Sequence, residues 1–206
     1  PSGFESALVL VADGSGSTVS DEAGRWRTEA YSLYVASGTT LEPLHLESVQ
    51  AHLASLSTLG FIYEYISRKA GFVTRIGNNI RFAEAGKLMG LAAYGGPQSN
   101  WNRWLRPVPG TPTVALSAYD IFLEVAALEK TYDTGEGKPY FRPWLVDLAH
   151  KVQQELEDAL CHIVETALAQ TGMRHLCMAG GVALNSVANY QLLRRCALED
   201  IFIFPA

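Results

Sequence analysis

Basic residues are in deficit: 16 Lys and Arg stand against 21 Asp and Glu in 206 residues, a net charge of −5 at pH 7. A broad electrostatic footprint for nucleic acid or anionic lipid is therefore not expected, and any anionic ligand has to be bound locally. Cysteine is scarce. Cys161, Cys177 and Cys196 are widely spaced and form no CxxC pair, which argues against a disulfide framework or a zinc knuckle and fits a reducing, cytoplasmic setting. No apolar run approaches the roughly 18 residues of a membrane span; the longest, around Ala7 to Ala12, stops at Asp13. His45, His52, His150, His162 and His175 include no HxxxH pair, so none is assigned to a metal. Charged residues make up 18% against 48% hydrophobic and 10% aromatic. That balance excludes a disordered chain and leaves a globular one, with enough residues for one domain or for two small lobes. The chain begins at Pro1 and stops directly after the strand-like Ile201 to Phe204, so it reads as cut at both ends.

Hydrophobic periodicity supplies the elements. Ser6 to Ala12 is an apolar, β-branched run closed by Asp13-Gly14-Ser15-Gly16-Ser17, which predicts a buried strand and a tight turn. Arg25 to Ser37 and a stretch near Leu44 continue it as antiparallel strands. From Ser48 to Gly71, apolar residues recur at helical spacing, with a kink expected at Gly60. Arg81 to Ala93 predicts a shorter helix interrupted by Gly86 and Gly90. Gly95 to Pro112, with four prolines and Trp101 and Trp104, predicts an irregular loop that extends toward Pro143 with partial helix inside. The two tryptophans offer faces for stacking on a sugar or base, or else anchor the loop. Trp144 to Gln170 carries one apolar stripe with Pro143 before it and Gly172 after it, a long helix. A strand at His175 to Ala179, the turn Gly180-Gly181, a helix from Val182 to about Arg194 and a last strand complete an α/β pattern. Three spans follow: residues 1–94 with the first glycine turn, an irregular region 95–143, and 144–206 with the Gly-Gly turn.

Three glycine sites carry the chemistry. In Asp13-Gly14-Ser15-Gly16, glycines permit close backbone approach to a phosphate and an aspartate at the strand end can hold a divalent cation; the same residues also make an ordinary hairpin turn. In Glu84 to Gly95, Lys87 can neutralise a phosphate, or pair with Glu84 one helical turn away. In Met178-Ala-Gly180-Gly181-Val-Ala-Leu-Asn185, a strand running into Gly-Gly and a helix places helix N-terminal N–H groups at the mouth of a sheet, where anions bind, with Asn185 facing the ligand. Alternatively it is a plain βα turn. Cys177, in an apolar strand, reads as a buried small residue rather than a nucleophile.

These segments resemble a known family. Glu84-Ala-Gly-Lys-Leu-Met-Gly-Leu-Ala-Ala-Tyr-Gly95 is similar to an "EGKxMGLAxYG" signature, and Ala179-Gly-Gly-Val-Ala-Leu-Asn-Ser-Val-Ala-Asn189 to "aGGVALNxxaN", of the carbamoyltransferases typified by nodulation protein U and the antibiotic O-carbamoyltransferases. Phe4 to Gly16 resembles that family's strand and "DGxG" turn, Ser57 to Gly71 its "SLGxxYxxxTxxxGF" helix, and Gln153 with Glu157 its "QxxxE" helix. The resemblance implies an actin-like, sugar-kinase-like α/β fold of two lobes with ATP or carbamoyl-adenylate between them. It further implies transfer of a carbamoyl group from carbamoyl phosphate, through the adenylate, to a hydroxyl of a sugar or antibiotic-like acceptor. Carried over by position, Gly14, Gly16, Lys87, Gly180, Gly181 and Asn185 are nucleotide-binding and Asp13 lies at a divalent metal, iron in the family. The family's paired metal histidines and its last metal aspartate fall outside this chain. So does its separate adenylate-forming domain, a partner without which the chain is not expected to run the complete reaction. Ala85 stands where the family has glycine. The acceptor pocket is expected in Gly95 to Pro143, and no nucleic-acid or membrane partner is expected. Two other readings remain: a tRNA threonylcarbamoyl-transfer type enzyme, and a non-catalytic nucleotide-binding module.

Overall fold

Ser6–Ala12 forms β1, which is hydrogen-bonded on both edges and so occupies the middle of a six-stranded mixed sheet. Pairing on both edges, with Ala7, Leu8, Leu10 and Ala12 buried, suits its near-continuous apolar sequence. On one edge lies β3 (Trp26–Ser37), antiparallel, with Leu10 opposite Leu33; β3 also pairs with the short β2 (Thr18–Ser20) and with β4 (Thr40–Gln50). On the other edge β9 (His175–Ala179) and then β10 (Asp200–Ile203) run parallel to β1. Leu8, Leu10, Leu33, Leu176 and Met178 are buried side chains of this sheet. The computed structural model describes residues 2–50, 58–77 and 80–205.

The remaining elements, in chain order, are α1 (Leu59–Lys69), the hairpin β5 (Val73–Ile76) and β6 (Ile80–Ala83), α2 (Ala85–Ala92), the hairpin β7 (Leu105–Val108) and β8 (Thr113–Leu116), α3 (Ala118–Tyr132), α4 (Pro143–Thr171) and α5 (Ser186–Arg195). The chain divides into two compact units that interleave along the sequence. The first comprises Pro1–Phe61, Leu105–Leu116 and Glu157–Ala206. It contains the six-stranded sheet, the β7–β8 hairpin, the second half of α4, and α5. Its hairpin is tied to the sheet by polar contacts: the Tyr31 hydroxyl donates to the Pro112 carbonyl (2.7 Å) and the Thr113 hydroxyl to Glu47 (3.0 Å). Burial, reinforced by the Glu47 charge, pushes the Tyr31 phenol well above its ordinary pKa, so it stays a hydrogen-bond donor.

The second unit comprises Ile62–Trp104 and Ser117–Leu156. Its irregular segment 95–104 is held by α4. The Gly96 N–H donates to Asp147 (3.0 Å), and the Trp104 backbone N–H is shared by both Glu155 carboxylate oxygens (3.0 and 2.9 Å). The Trp104 indole N–H donates to Glu124 (2.8 Å), and the Lys151 ammonium lies 4.6 Å from the Trp104 ring centroid while pairing with Glu155. With Trp104 buried, of the two roles open to it the loop anchor is the one observed.

The α/β class and the long helix agree with the sequence; four segments differ from it. Ser48–Gln50, expected to open a helix, ends β4 instead, because the long strand β3 offers hydrogen-bond partners as far as Arg27 opposite Gln50. The expected kink at Gly60 falls in the first turn of α1. Arg81–Ala83, expected in a helix, belongs to β6, paired with β5, and the helix starts only at Ala85. The region 95–143 contains the β7–β8 hairpin and the four-turn α3, whose N-cap Ser117 accepts from the Asp120 N–H (3.3 Å). Among the described residues no helix is long and apolar enough to cross a membrane.

Candidate functional site

The parallel pairing of β1 with β9 brings their C-terminal ends side by side. Val11 is opposite Ala179, so the residues that follow, Ala12-Asp13-Gly14 and Gly180-Gly181, leave the same edge of the sheet together. Crevices at such edges are where open α/β sheets bind ligands. The two turns are in intimate contact. Gly180 has φ +91°, and a Cβ there would sit 2.2 Å from the Ala12 carbonyl oxygen; a Cβ on Gly181 would sit 2.8 Å from Asp13 Oδ1. No residue with a side chain reproduces this approach at position 180.

A third segment joins them. Thr58, buried, donates its hydroxyl to the Gly14 carbonyl (2.6 Å) and accepts the Phe61 N–H (3.1 Å). It thereby caps the N-terminus of α1 and ties it to the first glycine turn in one residue. Gly60, in the first turn of α1, is required for the same contact, since a Cβ there would fall 2.7 Å from Gly14 N and Cα. The positive end of the α1 dipole thus lies at the turn. Thr58 and Gly60 are not among the sequence-derived site residues; Thr-x-Gly marks a helix start, but its contact with Gly14 has no local signal.

The sequence-derived residues divide as follows. Gly14, Gly180, Gly181 and Asp13 come together in the first unit. Gly16 is close by, but its N–H donates to the Glu29 carbonyl (3.0 Å), so in this conformation it closes the turn onto β3. Asp13 Oδ1 accepts the Gly14 N–H (2.7 Å). Asn185 is the N-cap of α5, accepting the Ala188 N–H (3.0 Å), and it follows a single 3₁₀ turn, Gly181–Leu184. The helix therefore begins at Ser186, four residues later than expected. Asn189 braces that turn by donating its amide to the Ala183 carbonyl (2.8 Å), while its Oδ1 is buried with no hydrogen-bond partner among the described residues. Lys87 belongs to the second unit, where it is mostly exposed and pairs with Glu84 (2.8 Å). The hydrogen bond from Lys87, and one involving Thr74, hold the Glu84 carboxyl below the usual carboxylate range.

Because Asn185 satisfies an otherwise orphaned helix N–H, Asn185→Ala is expected to cost about 1 kcal/mol of stability. Asn185→Asp, which keeps the cap and favours the helix dipole, is expected to restore it in urea denaturation. Equal losses in both variants would show that capping is not what the side chain contributes.

A family model described as Carbamoyltransferase N-terminus matches residues 7–206. The chain belongs to the carbamoyltransferase family. The mixed sheet described above is of the α/β class expected from the sequence. Over its full length the chain is 31% identical to the uncharacterized protein sll1178 of Synechocystis and 29% identical to the nodulation protein NolNO of Sinorhizobium fredii, covering 31% and 26% of those proteins. It thus spans about a quarter to a third of the curated relatives it matches. A tRNA N6-adenosine threonylcarbamoyltransferase of Polaromonas is 33% identical over 58% of the chain and 36% of its own length.

Proposed function

We propose that the first unit holds the phosphate-bearing end of ATP or carbamoyl-adenylate, as part of an ATP-dependent O-carbamoyltransferase. One observation carries this reading: the Gly180-Gly181 turn is seated against Ala12-Asp13 at the shared end of β1 and β9, so closely that a Cβ at Gly180 would overlap backbone. Two glycine-bearing turns beside a capped helix N-terminus form a cradle suited to phosphate oxygens. In the proposed reaction an acceptor hydroxyl oxygen attacks the carbamoyl carbon. The new C–O bond forms as the mixed-anhydride bond breaks, the hydroxyl gives up its proton, and AMP leaves with the electron pair. The chain's residues contribute by fixing the leaving phosphate and by placing donors and a helix dipole where charge accumulates.

The acceptor is proposed to be a sugar or antibiotic-like hydroxyl compound, and the adenylate to be supplied from carbamoyl phosphate by a separate domain of the parent protein. On its own the chain is proposed to bind nucleotide without running the complete transfer. A divalent metal, iron by resemblance, does not fit the residues present. Asp13 is the single carboxylate of the three converging segments, and among the described residues no three His, Cys, Asp or Glu side chains come together. No step is derived through a metal. The threonylcarbamoyl-transfer reading has the weaker support, because that likeness covers 58% of the chain whereas the family model covers residues 7–206.

Calorimetric titration with ATP tests the reading. Wild-type chain is expected to bind, and Gly181→Ala, whose methyl would press on Asp13 Oδ1, to bind at least about tenfold more weakly, a difference of about 1.4 kcal/mol, with unchanged circular dichroism. Equal affinity in the two proteins would remove the Gly-Gly turn from the site.

A further inference from the structure

Cys161 and Cys196 are 35 positions apart in sequence and lie on different elements, Cys161 in the second half of α4 and Cys196 at the C-cap of α5. Both belong to the first unit, and both are free thiols, 2% and 7% exposed. The fold brings them together: the Cys196 thiol donates to the Cys161 carbonyl (Sγ···O 3.9 Å). A packing role would need neither of them to have a thiol as its neighbour. We propose that Cys161 and Cys196 are a reversible dithiol–disulfide modification site, oxidised by a small hydroperoxide.

The step balances with hydroperoxide as the oxidant. The Cys161 thiolate attacks the peroxide O–O bond, giving a sulfenic acid at Cys161 and releasing water from hydrogen peroxide. The Cys196 sulfur then attacks the Cys161 sulfur, forming the S–S bond and expelling a second water. Two thiols lose two electrons and two protons, and one peroxide is reduced to two waters. Local electrostatics assign the order. A side-chain contact between the two thiols, distinct from the bond to the carbonyl and aided by the Arg195 guanidinium, lowers the Cys161 pKa, while the same thiol–thiol contact and burial raise that of Cys196. Arg195 is held in place by Asp158 (2.8 Å). Cys161 is therefore the attacking sulfur and Cys196 the resolving one. The link would join α4 to the end of α5 opposite Asn185.

The test is hydrogen peroxide treatment of the folded wild-type chain, followed by alkylation and non-reducing peptide mapping by mass spectrometry. Expected is a cross-linked peptide joining Cys161 to Cys196 in more than half of the molecules, lost on adding dithiothreitol, with Cys177, half-buried in β9, left as a free thiol. In Cys196→Ala, Cys161 is expected to react with dimedone after peroxide several-fold more than in wild type. The proposal is overturned if the folded wild-type chain keeps both thiols free under peroxide, if either cysteine links to Cys177 instead, or if Cys161 over-oxidises without forming the link.

Discussion

Gly180→Ala is expected to lower the free energy of unfolding by about 2–5 kcal/mol in urea denaturation, combining overpacking with a left-handed backbone that a Cβ disfavours. The added carbon would lie 2.2 Å from the Ala12 carbonyl oxygen, 2.8 Å from its carbon and 3.3 Å from its nitrogen, at φ +91°. All three atoms are backbone of the central strand, so no side-chain rotation relieves the clash; β1 or β9 must shift. Against a total stability of about 5–15 kcal/mol for a typical domain, this is a severe change. Gly172→Ala separates the two causes. It follows α4 at φ +70° with open space around the built Cβ, so it should cost only about 1–2 kcal/mol from the backbone. If the two variants lose the same stability, the contact with Ala12 is not tight in solution, and the cradle built on it fails with it.

The second large effect is expected in the other unit. Glu155, buried, accepts the Trp104 backbone N–H with both oxygens and pairs with Lys151, whose side chain is also largely covered. Glu155→Ala orphans a backbone donor and removes the counter-charge of a largely covered ammonium, leaving that ammonium the Asn102 carbonyl alone, at a cost of about 3–5 kcal/mol. Removing the charge from the other side, Lys151→Met, leaves Glu155 its bonds to Trp104 and keeps apolar bulk over the indole ring; it should cost less. Denaturation curves rank the two variants, and limited proteolysis gives the location: Glu155→Ala should open the 95–104 segment to cleavage. A Lys151→Met protein less stable than Glu155→Ala would mean that the ion pair, and not the anchoring of Trp104, is what matters there.

How much of this was legible in the sequence depends on the range of the interactions that decide each element. β9 matches its expected limits, and α4 does so to within one residue at each end, because alternating burial along a strand or a stripe along a helix writes a period into local sequence. The Gly-Gly turn was legible for the same reason. The boundary of β4 was not: Ser48–Gln50 open a stretch whose apolar spacing up to Gly71 fits a helix, and only pairing with β3, more than ten residues earlier, makes them strand. The hairpin within 105–116 was hidden by Pro107, Pro109 and Pro112, which read as loop. It forms nonetheless, with Pro107 at a position opposite Val114 and with its tip fastened by Tyr31. In the site itself, glycines 14, 180 and 181 announced themselves as a pattern. Thr58 and Gly60 matter through a contact with Gly14, 44 residues away in the case of Thr58, and nothing local distinguishes a cap that also grips a distant carbonyl from one that does not.

The pairing of β1 with β9 also sets the order in which the molecule is completed as it is made. Asp13 and Gly180 are 167 positions apart. At about 5–20 residues per second, the first turn waits on the order of 10–30 s for the second to be synthesised. During that interval β3 is already available to cover one edge of β1, whereas the edge destined for β9 presents the apolar Leu8 to Val11 with its backbone groups unpaired. An open edge of this kind recruits other strands. The nascent chain is therefore most exposed to aggregation just before its cradle closes, and slowed elongation between α4 and β9 should reduce soluble yield more than the same pause placed after β10.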